Sequence, residues 1–457
     1  MAVTGTILLT ATASATATAI ATGTMAAFAT NFLVAAALGA AMHALTPKPS
    51  ISGGNRGYQT NSIGPAQDHQ IIYGRMRVGG AIVYDEATGD NNKFLHRIIA
   101  IAGHEVQSFD EIYINDEVVT LDGSGNVTSP SQYNSNVRIN VHLGSSDQTA
   151  DSDLVAESAK WTSEHRLRGI AYIYVRLKFD ADAFPNGIPV ITTTVKGKKL
   201  YDPRTSSTAW SDNPALCLRD YLTSKYGLEE NVINIDDTLV SSSANVCDQT
   251  NTIAGTTRYT CNGAFTTVST PYDMLSELLK SMGGSMWYAQ GKWRMKPAYW
   301  TAPVMDLNED NLRSGISVGT RHSRRDNFNI IKGTFRGEES NWQTTDYPQV
   351  TNSAFLSADN NQEAVADVDL TFTDNSIEAR RLALISLERN RQQLTVSASF
   401  SLSTLELQVG DNVRLTNSRF GWTNKEFEVV QWSFGLVEDL DLQVNMTLRE
   451  TAETVFD

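Results

Sequence analysis

Seven histidines and 51 carboxylates are the side chains of this sequence best suited to chemistry, and their spacing gives them no common target. His96 and His104 stand eight positions apart in strand or turn context, with no carboxylate at a metal-ligand spacing. The stretch beginning His104-Glu105 opens like a metalloprotease motif. The second histidine, one helical turn further on, is missing, and both are needed to hold zinc from a helix. Both histidines therefore read as structural or surface residues. No GxSxG, no P-loop and no GxGxxG after a strand is present. Gly79-Gly80 precedes an apolar strand, where glycines more often permit a tight bend or a close strand approach than phosphate binding. The carboxylate pairs Asp151/Asp153, Asp236-Asp237 and Glu229-Glu230 would need to converge on one bond to act as a glycosidase. Nothing places them in an aromatic cleft, and exposed loops are the simpler reading. Two basic clusters stand out: Lys196, Lys198 and Lys199, and the RHSRR run with Arg321, Arg324 and Arg325. A solvated face is the default for such clusters, and contact with phosphates or with a neighbour's acidic surface is the functional alternative. No catalytic set, metal site or cofactor site is expected.

Composition narrows the classes further. The chain has 457 residues, too many for a single core, which suggests roughly two to four domains. Its 37 basic against 51 acidic side chains leave a formal charge of −14, which argues against a broad nucleic-acid-gripping surface. Cys217, Cys247 and Cys261 form no CxxC pair, and an odd number cannot all pair within the chain. They read as reduced thiols in a protein assembled in the cytoplasm, without structural zinc.

The elements behind these residues are mostly strands. Between Gln70 and Val119 lie two apolar runs, Ala81–Tyr84 and Phe94–Ala102, joined through Gly89-Asp90-Asn91-Asn92. A third run, Glu111–Asn115, alternates with period two and is followed by Asp116-Glu117 as a turn. Asn136–Leu143, Gly169–Phe179 and Ile188–Lys196 continue the pattern, with a short helix at Asp151–Glu157. Asn186-Gly187 and Gly197 read as hairpin-like ends, supporting a meander or barrel over residues 61–200. Trp161 reads as a core anchor.

Residues 201–299 shift towards helix and read as a small α+β insert. Pro214 opens one helix that ends by Gly227, the Pro-first, Gly-last arrangement. Asp236–Cys247 reads as a second. A third follows Thr270-Pro271 with an apolar face of Met274, Leu275, Leu278, Leu279 and Met282, and a hairpin turns at Gln290-Gly291. Residues 300–457 return to strand at Asn327–Phe335, Val368–Thr373, Leu394–Ser401, Asn412–Thr416, Lys425–Trp432 and Leu442–Leu448, a second barrel-like pattern. One helix interrupts it, with a capping box at Asn375 and Glu378, a buried side of Ile377, Leu384, Ile385 and Leu387, and Arg380, Arg381, Arg389 and Arg391 outside.

Residues 1–49 differ from all of this. The first charged side chain is Lys48, and Ala and Thr dominate. Met25–Leu45, with Met25, Phe28, Phe32, Leu33, Leu38 and Leu45, approaches the roughly 20 residues of a membrane-crossing helix. It lacks the basic flank of a secretory signal. A helix buried among copies of itself or inside a partner is the equal alternative. Residues 50–60 read as a linker.

The runs IIYGRMRVGGAIVY, NKFLHRIIAIAGHEVQSFDEIYINDEVV, HRLRGIAYIYVRLKFD, FPNGIPVITTTVKGKKLYDPRT, DNPALCLRDYLTSKYG and LELQVGDNVRLTNSRFGW resemble, in this order, the hub region of phage tail-tip proteins. These are the relatives of the lambda-like tip attachment protein J and the hubs of siphophage baseplates and gene transfer agents. The resemblance spans roughly residues 60–455 and implies a homotrimeric structural hub in the virion. Each copy would supply two tube-type β-barrels around the insert, so that three copies continue the tail tube as a pseudo-sixfold ring. It also implies the distal tail protein, the tape measure protein and a tail fibre or receptor-binding protein as partners, with double-stranded DNA in transit. Relatives of this kind usually continue into receptor-recognising regions, and the expectation is that receptor binding belongs to a separate protein.

Two expectations follow. An acidic chain suits a passage that repels and centres DNA, so a net-negative lumen is expected, and a lumen lined with Lys and Arg would refute it. Three copies of Met25–Leu45, with small residues for close packing, are expected to plug the tip and later enter the host membrane. The rival class is a membrane-anchored β-rich surface adhesin, which a basic flank and paired cysteines would have favoured. A carbohydrate-active tail protein ranks third.

Overall fold

The computed structural model describes residues 59–63, 67–250, 255–321, 323, 326–436 and 442–456. The first β unit begins with β1 (Ser62–Ile63), β2 (Gln70–Tyr73), β3 (Arg75–Val78), β4 (Ala81–Thr88) and β5 (Phe94–Ala102). It continues with β6 (Val106–Ile114), β7 (Glu117–Leu121), β8 (Val127–Ser129), β9 (Val137–His142), helix α1 (Ser152–Glu157), β10 (Ala171–Lys178), β11 (Ile191–Asp202) and β12 (Ser207–Trp210). One sheet runs β1-β4-β5-β10-β9. The other runs β12-β11-β6-β7-β8, with β3 also paired to β11. Their facing sides share one core containing Val78, Ile99, Ile101, Ile114, Ile139, Ile173, Val175 and Val195. The sheets also touch at both borders. Asn126 bridges to Arg138 on one side, and on the other the Asn61 side-chain amide bonds both the N–H and C=O of Ile191.

Strand β10 is apolar on both faces for a reason. Ile173 and Val175 enter the core between the sheets, while Tyr172 and Tyr174 point outward into a second cluster with Ile98, Leu154 of α1 and Trp161. Trp161 is thus the expected anchor. The expected turn after β6 falls one residue earlier, at Asn115-Asp116, whose φ values of 48° and 71° suit the short polar residues that tolerate left-handed backbone. Gly197 is not a hairpin end. It lies inside β11, where an added Cβ would stand 2.2 Å from the Ile72 carbonyl oxygen, so close strand approach explains it.

The middle of the chain holds α2 (Pro214–Thr223), α3 (Asp237–Cys247), β13 (Gly263–Thr266), α4 (Pro271–Lys280) and the hairpin β14 (Ser285–Ala289) with β15 (Lys292–Lys296). Asn213, Asp236 and Thr270 cap the three helices with their side chains, and Pro stands in the first turn of α2 and α4. Strand β13 leaves this region and pairs with β2 of the first unit.

The remainder comprises β16 (Met305–Leu307), β17 (Ser317–Gly319), β18 (Ile330–Lys332), β19 (Thr334–Arg336), β20 (Thr344–Asp346), β21 (Val350–Thr351), α5 (Ser353–Ala358), β22 (Val365–Asp367) and α6 (Ser376–Arg391). It ends with β23 (Thr395–Phe400), β24 (Asn412–Asn417), β25 (Trp422–Leu436) and β26 (Leu442–Glu450). A six-stranded sheet, β16-β24-β25-β26-β23-β17, packs Val396, Phe400, Val413, Leu415, Phe427, Val444 and Leu448 on one face.

Several expectations change here. The run Asn327–Phe335 breaks into β18 and β19 at Gly333, where a Cβ would meet the Val368 carbonyl at 1.9 Å. Val368–Thr373 is not a strand and contributes a single bridge, Leu370 to Phe335. Helix α6 buries Ala379, Leu382, Ala383, Ile385 and Leu387 in the core of α2–α4, not against the six-stranded sheet. Ile377 is half exposed rather than buried. Asn375 caps α6 as expected, but Glu378 does not close the box. Its carboxylate accepts the Thr260 N–H and hydroxyl instead, both at 2.8 Å. The described chain is mostly β.

Candidate interaction site

The first basic cluster does not form one cationic surface. In β11, Lys198 Nζ donates to both Asp220 carboxylate oxygens at 2.9 Å and to the Tyr226 hydroxyl at 2.8 Å. Tyr73 donates to the same carboxylate at 2.8 Å. Burial pushes the Tyr73 and Tyr226 phenols up, so both remain protonated donors. This knot ties β2 and β11 of the first unit to α2. Lys199 pairs with Glu105 at 2.6 Å, and the Lys196 ammonium sits 5.2 Å from the centre of the Trp210 ring. Each lysine therefore has an intrachain partner, and the arrangement joins elements rather than presenting a phosphate cradle. Arg321 is exposed. Arg324 and Arg325 lie outside the described residues, as do Met25, Phe28, Phe32, Leu33, Leu38 and Leu45.

The other chemistry-bearing residues are also structural in geometry. His104 is buried. Its Nε2 accepts the Ile72 N–H at 3.0 Å, its Nδ1 contacts the Glu105 carbonyl at 2.8 Å, and desolvation lowers its pKa to about 4. This is a neutral imidazole whose two nitrogens are both engaged. His96 sits between Thr88 Oγ1 and the Tyr174 hydroxyl, at 2.7 and 2.8 Å. Asp151 caps α1 and accepts from His142, while Asp153 pairs with Arg138. Asp236 caps α3 and pairs with Arg294, and Asp237 pairs with Arg219. Glu230 accepts from Asn234. Among the described residues, no group of three or more His, Cys, Asp or Glu side chains is arranged to hold a metal ion.

Two clusters escaped sequence reasoning. One is a set of carboxylates near Thr260, with Glu378 buried and Asp212 and Asp374 half-buried. Asp212, Asp374 and Glu378 all have raised pKa values, Asp374 to about 6. Desolvation is the main cause in each; Asp248 also repels Asp212, Asp212 repels Asp374, and both Asp374 and Asp212 repel Glu378. The other centres on Arg77, whose side chain is wholly buried in β3. Its guanidinium stacks 3.8 Å from the Tyr113 ring centre and donates to Thr192, Asp116 and Asn341. Nothing in the alternation Arg75-Met76-Arg77-Val78 marks either arginine as buried. The lone Trp342 in the polar run GEESNWQTTD was the available clue that something reaches back to them.

The sequence and fold comparisons agree with one another. A family model described as "Putative phage tail protein" matches residues 270–432. The baseplate hub protein pb3 of Escherichia phage T5 is 23% identical over 460 residues, covering 84% of this chain and 48% of that protein. The resemblance is to phage tail-tip hubs. The tip attachment protein J of Escherichia phage SECphi27 is 24% identical over 276 residues, covering 55% of this chain and 22% of that protein. The chain thus spans about half or less of the length of these curated relatives. A protein in the virion of a native gene transfer agent particle shares the fold, with a TM-score of 0.62 and 16% identity across 97% of each chain. Among the described residues, no helix is long and apolar enough to cross a membrane.

Proposed function

We propose that this chain is a structural hub of a tailed-phage tail tip. Three copies form a ring that continues the tail tube, binds the distal tail, tape measure and fibre proteins, and lets DNA pass into the host. In this reading the first β unit and the six-stranded sheet with its flanking strands are the two tube-type barrels, residues 61–200 and 300–457, around the insert at 201–299. The ring is wall rather than catalyst, and it is assembled in the host cytoplasm before joining the virion. The observation that carries the reading is the colinear match of 84% of the chain to a curated baseplate hub protein. The sheet contacts at Asn126–Arg138 and Asn61–Ile191 support a closed first unit, since closure removes the edge strands that would otherwise pair at random. The −14 charge supports a lumen that repels DNA.

The test is genetic and structural together. Particles made without this chain should lack completed tail tips, and supplying it in trans should restore them. Complete tips in its absence would remove the hub reading. The segment Met25–Leu45 is proposed to act at delivery. Deleting residues 1–47 should leave particles that assemble and adsorb but do not deliver DNA, and normal infectivity would sink that part alone.

A further inference from the structure

The hairpin β19–β20 pairs only Thr334–Arg336 with Thr344–Asp346, and two strands of three residues are marginal by themselves. Its tip, residues 337–343, keeps Gly337 against the Asp374 carbonyl and Glu339 on the Ser376 N–H at 3.1 Å, and sends Glu338, Asn341 and Trp342 to the first β unit. Trp342 is 4% exposed and packs among the core residues of the first β unit. Glu338 meets Arg75 at 2.7 Å, the Arg75 guanidinium lies 5.7 Å from the Trp342 ring centre, and Asn341 Oδ1 accepts from Arg77 at 2.7 Å. The tip backbone is wound tightly, with the Trp342 N–H on the Gly337 carbonyl at 2.8 Å. Asn341 and Trp342 both hold left-handed backbone, at φ 54° and 60°. Asn tolerates that region, but a bulky aromatic rarely adopts it, and it persists only where surroundings impose it.

The two arginines share a pattern. Arg77 has Asp116, Thr192 and the Tyr113 ring within its own unit, and Asn341 from the tip. Arg75 has Asp110 within its own unit, and Glu338 from the tip. Removing the tip therefore leaves neither cation without a carboxylate, so undocking avoids the heavy cost of an unpaired buried charge.

We propose that residues 337–343 form a releasable latch between the first β unit and the rest of the chain. Docked, Trp342 fills the edge of that unit's core and fixes the hairpin against β3. Released, Trp342 leaves, the Asn341–Trp342 backbone relaxes out of the left-handed region, and the first unit loses its contact with the β19–β20 hairpin, while the Asp220 knot and the β2–β13 pairing still hold it to the insert. The use of such a release, opening of the tip for passage, rests on the hub reading; the latch itself does not.

Hydrogen exchange on the full chain tests it, comparing the wild type with Trp342→Ala and Glu338→Gln. In the wild type, amides at Asn341 and Trp342 should exchange at least about tenfold faster than those of Ile99 and Ile173, as expected of a local opening. In Trp342→Ala, exchange of the tip should rise by about a further tenfold while β5 and β10 stay unchanged. Glu338→Gln, whose carboxylate is on the surface, should speed the tip alone and to a smaller extent. A tip as slow as β5 and β10 in the wild type would overturn the latch. So would equal acceleration of those strands in Trp342→Ala, or an unchanged tip in both variants. None of these outcomes depends on assembly into a tail.

Discussion

The outer faces of the two large β regions are finished in opposite ways. In the first unit, the five-stranded sheet is covered by α1 and the segment after it, which bury Tyr172, Tyr174, Ile98 and Trp161. In the six-stranded sheet, the corresponding face of β23, β25 and β26 carries Ser397, Ser399, Gln431, Ser433, Asn445 and Thr447 around a groove of about 300 Å³. These are short, uncharged side chains that bond one another across strands, as in Ser399 to Asn445 at 2.7 Å and Thr447 to Gln431 at 3.1 Å. One sheet closes over with its own chain, and the other carries no apolar cover among the described residues. Energy is therefore concentrated in the first face and nearly absent from the second.

The sharpest way to break this contrast is Trp161→Ala. Removing a buried tryptophan from the covered face should cost about 3–5 kcal/mol, read as a lower denaturant midpoint with an unchanged slope. A cost under about 1 kcal/mol would place Trp161 outside the load of that face. Next comes pH. The folded pKa of Asp374 is raised, so its contribution to stability is fully present below the unfolded value. That contribution is lost as pH rises through about 6. The wild type should lose on the order of 1–3 kcal/mol from this site between about pH 4 and pH 7, and Asp374→Asn should flatten that part of the curve. A variant curve parallel to the wild type would contradict the assignment.

Asp220→Asn weakens the knot with Lys198, Tyr73 and Tyr226. Because the pair is partly exposed, the expected loss is only about 1–2 kcal/mol, measured by urea unfolding. Smallest of all, Ser399→Ala on the open face should stay within about 0.5 kcal/mol of the wild type. A loss comparable to that of Trp161→Ala would erase the difference between the two faces.

Local signals in the sequence were read well because the structure settles them locally. Pro214, Thr270-Pro271 and Asn375 mark helix starts that short-range caps complete, and period-two alternation located β9 and β10. What failed depended on distant partners. Glu378 looks like a capping-box residue until Thr260, more than a hundred positions away, takes its carboxylate. Lys198 and Lys199 look solvated until Asp220 and Glu105 are brought to them. Arg77 carries no local sign of burial, yet Tyr113, Thr192 and Asn341 enclose it. Gly197 looks like a hairpin end and Gly333 like the interior of one strand, and only the fold shows the carbonyls they make room for. The open face of the six-stranded sheet was not singled out, because Ser, Thr and Asn alternation along a strand does not reveal which side a second layer covers.

Cryo-EM of the intact tail tip tests the central claim most directly, because copy number, neighbours and lumen are read together. The hub reading predicts three copies on the tail axis, each giving both β regions to one ring in line with the tube, and no Lys- or Arg-lined channel. A peripheral position off the axis, or a ring built from only one of the two β regions, would contradict it.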